Sequence, residues 1–197
     1  MSIEPDVLAV AALAFYLLAA CAVLGLNLVP SDVSRIADGT SAYALGSTAP
    51  GYWLQAIASG LGGLCLGAGL AGRVSPIAVG CLFAYGLARI AIVRYPTDPR
   101  GAPPTPSGRA HAILAAVAFV AIAVAAPLAT ATFAGSSAAA TKGFVLALGA
   151  LTTVTSLGSF VVAATAATAQ YYGLAQRVFY AASFAWAIAM SAGMLAR

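Results

Sequence analysis

The stretch RYPTDPRGAPPTPSGRAH, residues 94–111, is the most polar passage of a chain built mainly from alanine, leucine, valine and glycine. It carries three of the nine basic side chains, one of the five acids, the single histidine and five of the ten prolines. Its flanks explain it. Residues 75–95 before it and 109–130 after it are apolar runs of the roughly 20 residues that a helix needs to cross a bilayer. The passage is therefore a polar connection between two membrane spans.

Working outward, four more segments have the same character: residues 7–29, 52–72, 143–169 and 174–196. Lipid leaves no water to satisfy backbone groups, so only helices or closed barrels can span it. The runs are continuous rather than alternating, which excludes a barrel. The fold expectation is an all-α integral membrane protein, a six-transmembrane-helix bundle forming one transmembrane domain over residues 1–197. Composition agrees. Hydrophobic residues make up 62% of the chain and charged ones 7%, with a mean hydropathy of +0.97, against roughly 25% charge in a soluble domain. A net charge of +4 without a basic run does not make a nucleic-acid surface. Cys21, Cys65 and Cys81 lie in apolar runs without metal or redox spacing and read as free thiols. Near the start, LAAC (residues 18–21) resembles a lipoprotein cleavage box. Glu4 and Asp6 replace the basic residues that a secretory signal needs, so the first span is expected to be retained.

Six spans place loops 1–2, 3–4 and 5–6 on one face. That face collects Asp32, Arg35, Asp38, Arg94, Thr97, Asp98, Arg100, Arg109, His111, Gln176 and Arg177. Counting Arg89 with its nearer end, it holds six cationic side chains. The other face holds three: Arg73, Lys142 and Arg197. The positive-inside rule then makes the rich face cytoplasmic, with both termini outside. Tyr52, Trp53, Tyr95, Tyr171 and Tyr172 fall at span ends on that face and read as an interfacial belt.

Within the spans, Ser59, Gly63, Gly67 and Ala71 recur every fourth residue and form a small-residue ridge. The ridge either packs within the chain or forms a homodimer or partner-subunit seam. Arg89 sits six residues before Tyr95, roughly 9 Å down the third helix. It either snorkels to the interface or faces the bundle, with Gln170, a lipid or a loop 1–2 carboxylate as partner.

In the opening stretch, Pro96 ends the third helix, Thr97-Asp98-Pro99 turns, and Ser107 is the expected N-cap of the fourth helix. Arg109 then opposes the helix dipole, with Asp98 as the internal group to offset it. On one reading Asp98 fixes the turn and His111 takes a backbone or water partner. On the other, Asp98, Arg109 and His111 line a pocket under loop 1–2 that binds a lipid headgroup or small anion, or moves a proton. One histidine cannot supply paired axial haem ligands or a three-histidine zinc site, so no metal or cofactor is expected.

YPTDP followed by SGRAH, the polar first loop PSDVSRIADGTSAYALGS, and GLAQRVFYAASFAWAI opening the last helix resemble the bacterial membrane family known as domain of unknown function 998. The family's pattern is Phe-Pro-Thr-Asp…Gly-x-x-His, with Tyr95 here in place of the commoner Phe. The resemblance implies a six-helix protein of the bacterial cytoplasmic membrane and no established reaction. It marks Pro96, Thr97, Asp98, Gly108, His111, Gln176 and Arg177.

The leading functional expectation is a non-enzymatic membrane protein. It would bind lipid or a small molecule through the polar face, or serve as an accessory subunit of a membrane complex, associating through the ridge. The first alternative is an enzyme acting on a lipid or isoprenoid. His111 would be its acid/base, Asp98 the orienting group, and Arg109 or Arg177 the anion holder. The second alternative is an oligomeric transporter, with a water-filled path past Arg89.

Overall fold

Helix starts and stops follow local chemistry. A computed structural model describes residues 4–133 and 139–196 and contains six long helices: α1 (Pro5–Leu28), α2 (Ala49–Leu70), α3 (Pro76–Ala91), α4 (Pro106–Phe133), α5 (Ala139–Ala164) and α6 (Tyr172–Leu195). Proline stands in the first turn of α1, α2, α3 and α4, where its missing N–H costs nothing. The turn between α2 and α3 passes through Gly72 at φ +74°, a left-handed conformation suited to glycine. Residues 134–138 of loop 4–5 and the terminal Arg197 lie outside the described residues.

All six helices are long and apolar enough to cross a membrane. The protein is a multi-pass membrane protein. Each helix packs on its neighbours in sequence, and α6 packs on α1, closing a ring. Tyr16, Leu66, Tyr85, Phe179 and Trp186 fill the interior, while aliphatic side chains such as Leu24, Ile77, Ile113 and Val154 face outward. An apolar exterior around a packed interior is what a hydrocarbon solvent requires.

The largest departures from the expected span boundaries are in α5 and α3. Helix α5 begins earlier, at Ala139, and ends at Ala164 rather than 169. The four threonine- and alanine-rich residues after it form turns, with Thr168 N–H donating to the Thr165 carbonyl. Helix α3 tightens into a 3-10 turn over Ile92–Arg94 before Tyr95 becomes extended ahead of Pro96.

The ridge on α2 is an internal seam. Gly63 lies against the Tyr85 ring, Gly67 against Leu82, and Ser59 accepts a hydrogen bond from Arg89, all on α3. Ala71 caps the helix end and is exposed. The ridge face is therefore occupied by α3 of the same chain and is not free as a homodimer or partner seam. The closest approach is beside it. A Cβ on Gly60 would sit 2.8 Å from the Gly86 carbonyl oxygen, and one on Gly86 would sit 2.7 Å from the Gly60 carbonyl oxygen. Backbone cannot yield as a side-chain tip can. Gly60→Ala is expected to lower stability by about 1–3 kcal/mol. Gly80→Ala, on the open face of α3 with nothing within 4 Å, should stay within about 1 kcal/mol of wild type. Thermal unfolding in detergent decides. Equal midpoints for the two variants would mean that the α2–α3 contact is looser than the structure has it.

Candidate functional site

The three loops of the polar face converge. Loop 1–2 folds into a 3-10 turn, Thr40–Leu45, that roofs the ring. It is fastened to the first turns of α6. The Gln176 side-chain oxygen accepts from Thr40 N–H at 2.9 Å and from the Thr40 hydroxyl at 3.2 Å. Arg177 donates to Asn27 Oδ1 (2.6 Å), to the Asp38 carbonyl (3.0 Å) and to the Tyr43 hydroxyl (3.3 Å). Gly173 lies so close to the Asp38 backbone that no side chain fits between them. Loop 3–4 joins through Arg100, 3.7 Å from Asp38, a largely exposed pair of small energetic weight.

The 94–111 passage is organised by Asp98 and Thr105. Asp98 accepts from Thr105 N–H (3.0 Å) and the Thr105 hydroxyl (2.7 Å), and the same hydroxyl oxygen accepts from Gly108 N–H. Thr105, not Ser107, is thus the N-cap of α4, with Pro106 at the first helical position. Ser107 instead donates to the Pro96 carbonyl. Gly108 is needed because the Asp98 carboxylate occupies the space of a Cβ. The Thr105 hydroxyl, then its N–H, hold the Asp98 carboxyl below its ordinary 3.8, with Arg109 and His111 adding longer-range attraction.

Under the roof lies a cavity of about 260 Å³. Its polar wall is Thr40, Arg89, His111, Tyr172, Gln176 and Tyr180. Arg89 is 1% exposed, so it does not snorkel. Its Nε donates to Ser59 Oγ (3.1 Å), one terminal nitrogen to the Tyr180 hydroxyl (3.0 Å) and the other to Gln55 Oε1 (2.7 Å). Tyr180 also lies under the guanidinium, with its ring centroid 5.4 Å away. Every one of these partners is neutral, and none is the Gln170, lipid or loop 1–2 carboxylate expected from sequence. A guanidinium has five N–H donors. Three meet these acceptors, and the Tyr52 hydroxyl also lies within reach of the guanidinium.

His111 completes the wall. Its Nδ1 is 2.7 Å from the Tyr95 carbonyl. A carbonyl only accepts, so Nδ1 carries the proton. Nε2 has no hydrogen-bond partner among the described residues. Tyr52 stacks on the imidazole at 6.5 Å and is 2% exposed. Tyr52 therefore belongs to the interior, while Trp53, Tyr95 and Tyr171 are outward-facing.

A family model described as "Protein of unknown function (DUF998)" matches residues 9–193. The chain belongs to this family. No curated protein and no solved structure matches it. Asp98 and Gly108 shape the mouth of α4, His111 faces the cavity, and Gln176 and Arg177 hold the roof.

The candidate residues divide accordingly. Arg89, Thr97, His111 and Gln176 line the cavity. Asp98 lies outside it, in a surface cleft with Asp38 and Arg100. Arg109, Arg35 and Arg94 are exposed. The three-residue pocket of Asp98, Arg109 and His111 is not formed, because Thr105 takes the Asp98 carboxylate and the Tyr95 carbonyl orients His111. Gln55, Tyr180, Asn27, Thr40 and Thr105 were missed. Gln55 carried a readable signal, as an amide inside an apolar span four residues from Ser59.

Two outcomes follow from this geometry. The contribution of Asp98 is present above the carboxyl's ordinary pKa and is lost as pH falls through its lowered folded value. The gap in unfolding temperature between wild type and Asp98→Ala should therefore be flat near neutrality and narrow below about pH 4. A gap that is flat down to pH 3 would show that the carboxylate charge is irrelevant. Gln176→Leu removes the acceptor for the buried Thr40 N–H. Hydrogen exchange across residues 39–45 should accelerate by about tenfold or more, the loss of roughly 1–3 kcal/mol. Unchanged exchange would mean that the roof is held elsewhere.

Proposed function

We propose that the protein is an intramembrane binding protein whose ligand presents an oxyanion, carboxylate or phosphate, to Arg89. The observation that carries this reading is a fully buried guanidinium on a cavity wall whose hydrogen-bond partners are all neutral, so that its charge has no counter-charge beside it among the described residues. Arginine at the centre of a span costs about 2.5–3.5 kcal/mol on insertion scales, and Arg89, buried in the last turn of α3, bears part of that cost. Dipoles from Gln55, Ser59 and Tyr180 offset part of that cost and leave the charge in place. An oxyanion would supply the missing counter-charge and accept from the guanidinium, the pairing that this group favours.

The reading assigns binding and no reaction, in a multi-pass protein that we place in the bacterial cytoplasmic membrane, as the family resemblance implies. An accessory or sensory role is compatible with it. Association with a partner would have to use a surface other than the α2 ridge. A second reading rests on His111, whose Nε2 is available in the same cavity for acid–base chemistry on a bound ligand, with the Tyr95 carbonyl rather than Asp98 as the orienting group. A transporter path has less support. Below Arg89, Tyr16, Tyr85, Phe184 and Trp186 are buried and packed, so the cavity is blind toward the opposite face.

Native mass spectrometry on protein gently extracted from its own membrane tests the proposal. Wild type should carry a defined anionic adduct, and Arg35→Gln, at an exposed loop position, should keep it. Arg89→Gln should lose it by about tenfold or more, since removing one partner of a buried charge pair costs about 2–5 kcal/mol. A folded Arg89→Gln that retains the adduct, or a wild type with no anionic adduct, overturns the reading.

A further inference from the structure

The cavity has a wall that is incomplete, and the gap faces lipid. Helices α4 and α5 run antiparallel and are stitched together in their deeper half. Thr153 donates to the Ala123 carbonyl (2.9 Å), Ser156 donates to the Phe119 carbonyl (2.8 Å), and Gly149 lies against Thr130. The next facing positions toward the polar face are Ala116 and Ala112 on α4, and Ser159 and Ala163 on α5. All four line the cavity and all are small. No hydrogen bond joins the two helices here among the described residues. Ala112 and Ala163 are exposed, and Phe160 between them is 36% exposed. Helix α5 then stops at Ala164, so nothing from it closes the seam above.

The roof covers most of the other side, where Ser41, Thr97 and Tyr172 also line the surface cleft that holds Asp38, Asp98 and Arg100. The roof turn is pinned by Gln176 and Arg177, and Thr40 at its start is 2% exposed. Arg89 projects from α3 and is held by α2 and α6, and none of these hydrogen bonds reaches α4 or α5. The polar end of the cavity thus lies under the roof, and the small-residue end opens sideways between α4 and α5.

We propose that the ligand is a single-chain amphiphile taken from the bilayer. Its carboxylate or phosphate meets Arg89, and its chain leaves between α4 and α5 through the slot bounded by Ala112, Ala116, Ser159 and Ala163. This rests on the Arg89 reading and adds the ligand's chain and its route. Alanine and serine at these four positions keep a groove one chain wide. A soluble anion would instead enter from the surface cleft that meets the cavity at Thr97 and Tyr172, and would make no use of the slot between Ala112, Ala116 and Ser159.

The test uses the full-length protein in phosphatidylcholine nanodiscs, with dodecanoate and dodecyl phosphate as probes and acetate and inorganic phosphate as their chain-free counterparts. Dodecanol, which has no charge, controls for partition into the lipid. Ala112→Phe and Ala163→Phe fill the slot from its two sides at exposed positions, so at least one should leave the bundle intact. Binding of the better chain-bearing anion should exceed that of dodecanol by about tenfold or more and fall with Arg89→Gln. Each slot variant should weaken that chain-bearing anion at least about tenfold more than its chain-free counterpart, the equivalent of fewer than two buried methylenes. If the slot variants weaken both alike, or weaken neither, the lateral route is wrong while the Arg89 site stands. If Arg89→Gln binds every anion as wild type does, the anion site itself is wrong. Which head prevails separates a carboxylate ligand from a phosphate one.

Discussion

The arrangement depends on one buried cation. Arg89 sits inside the ring of helices, and its three hydrogen bonds tie α3 to α2 and α6 at a single point. Those bonds need α2 and α3 close together. The glycines at positions 60 and 86 allow the two backbones to touch there, so that the guanidinium reaches both Gln55 and Ser59 on α2 while Tyr180 comes in from α6. Small residues and a charged residue, which look unrelated along the chain, are two parts of one contact. Remove the close approach and the charge loses its acceptors. Remove the charge and the polar side chains of α2 and α6 lose their purpose in an apolar core.

Above that point the polar face is built in layers. The Asp98–Thr105–Gly108 cap fixes the direction of α4 and so sets where His111 meets Tyr52. Gln176 and Arg177 fix the roof from the α6 side. Neither pair contacts the cavity's ligand-facing donors through its charge. Their effect is geometric: they hold a lid of loop 1–2 over a space that would otherwise open to water. Water there would solvate Arg89 and weaken its attraction for an anion, because Coulomb energies fall with the local dielectric.

How much of this could be read from the sequence follows from the range of each interaction. Span number and type are set by runs of neighbouring residues, and six runs were enough to give six helices. Helix ends are set by one or two side chains, so Ser107 was read as the cap when Thr105, two residues earlier, holds the position. The ridge Ser59, Gly63, Gly67 and Ala71 correctly announced a close approach, but periodicity cannot say which helix approaches, and here it is α3. The partners of Arg89 lie 30, 34 and 91 residues away along the chain, and nothing local points to them. The search for an acid was misdirected because a buried cation can be held by neutral dipoles. Asp98, Arg109 and His111 are near one another in sequence, yet a helical turn and a capping bond send them to three different surroundings.

That choice of neutral partners bears on what the protein does. If stability alone governed position 55, a carboxylate would be the more direct answer, since a hydrogen-bonded ion pair leaves no net charge in the bilayer. Gln55 satisfies one N–H of Arg89 and leaves the positive field intact, and its own amide nitrogen is buried without a partner. Tyr180 and Ser59 likewise supply oxygen atoms without charge. A site assembled this way carries an uncompensated cost in the empty state, on the wall of a cavity, with no counter-charge beside it among the described residues. Such a cost is retained where something else removes it, and the group that removes it most fully is an oxyanion entering that cavity. The unmet electrostatics of Arg89, more than any shape of the pocket, is why binding is the function that the geometry supports best.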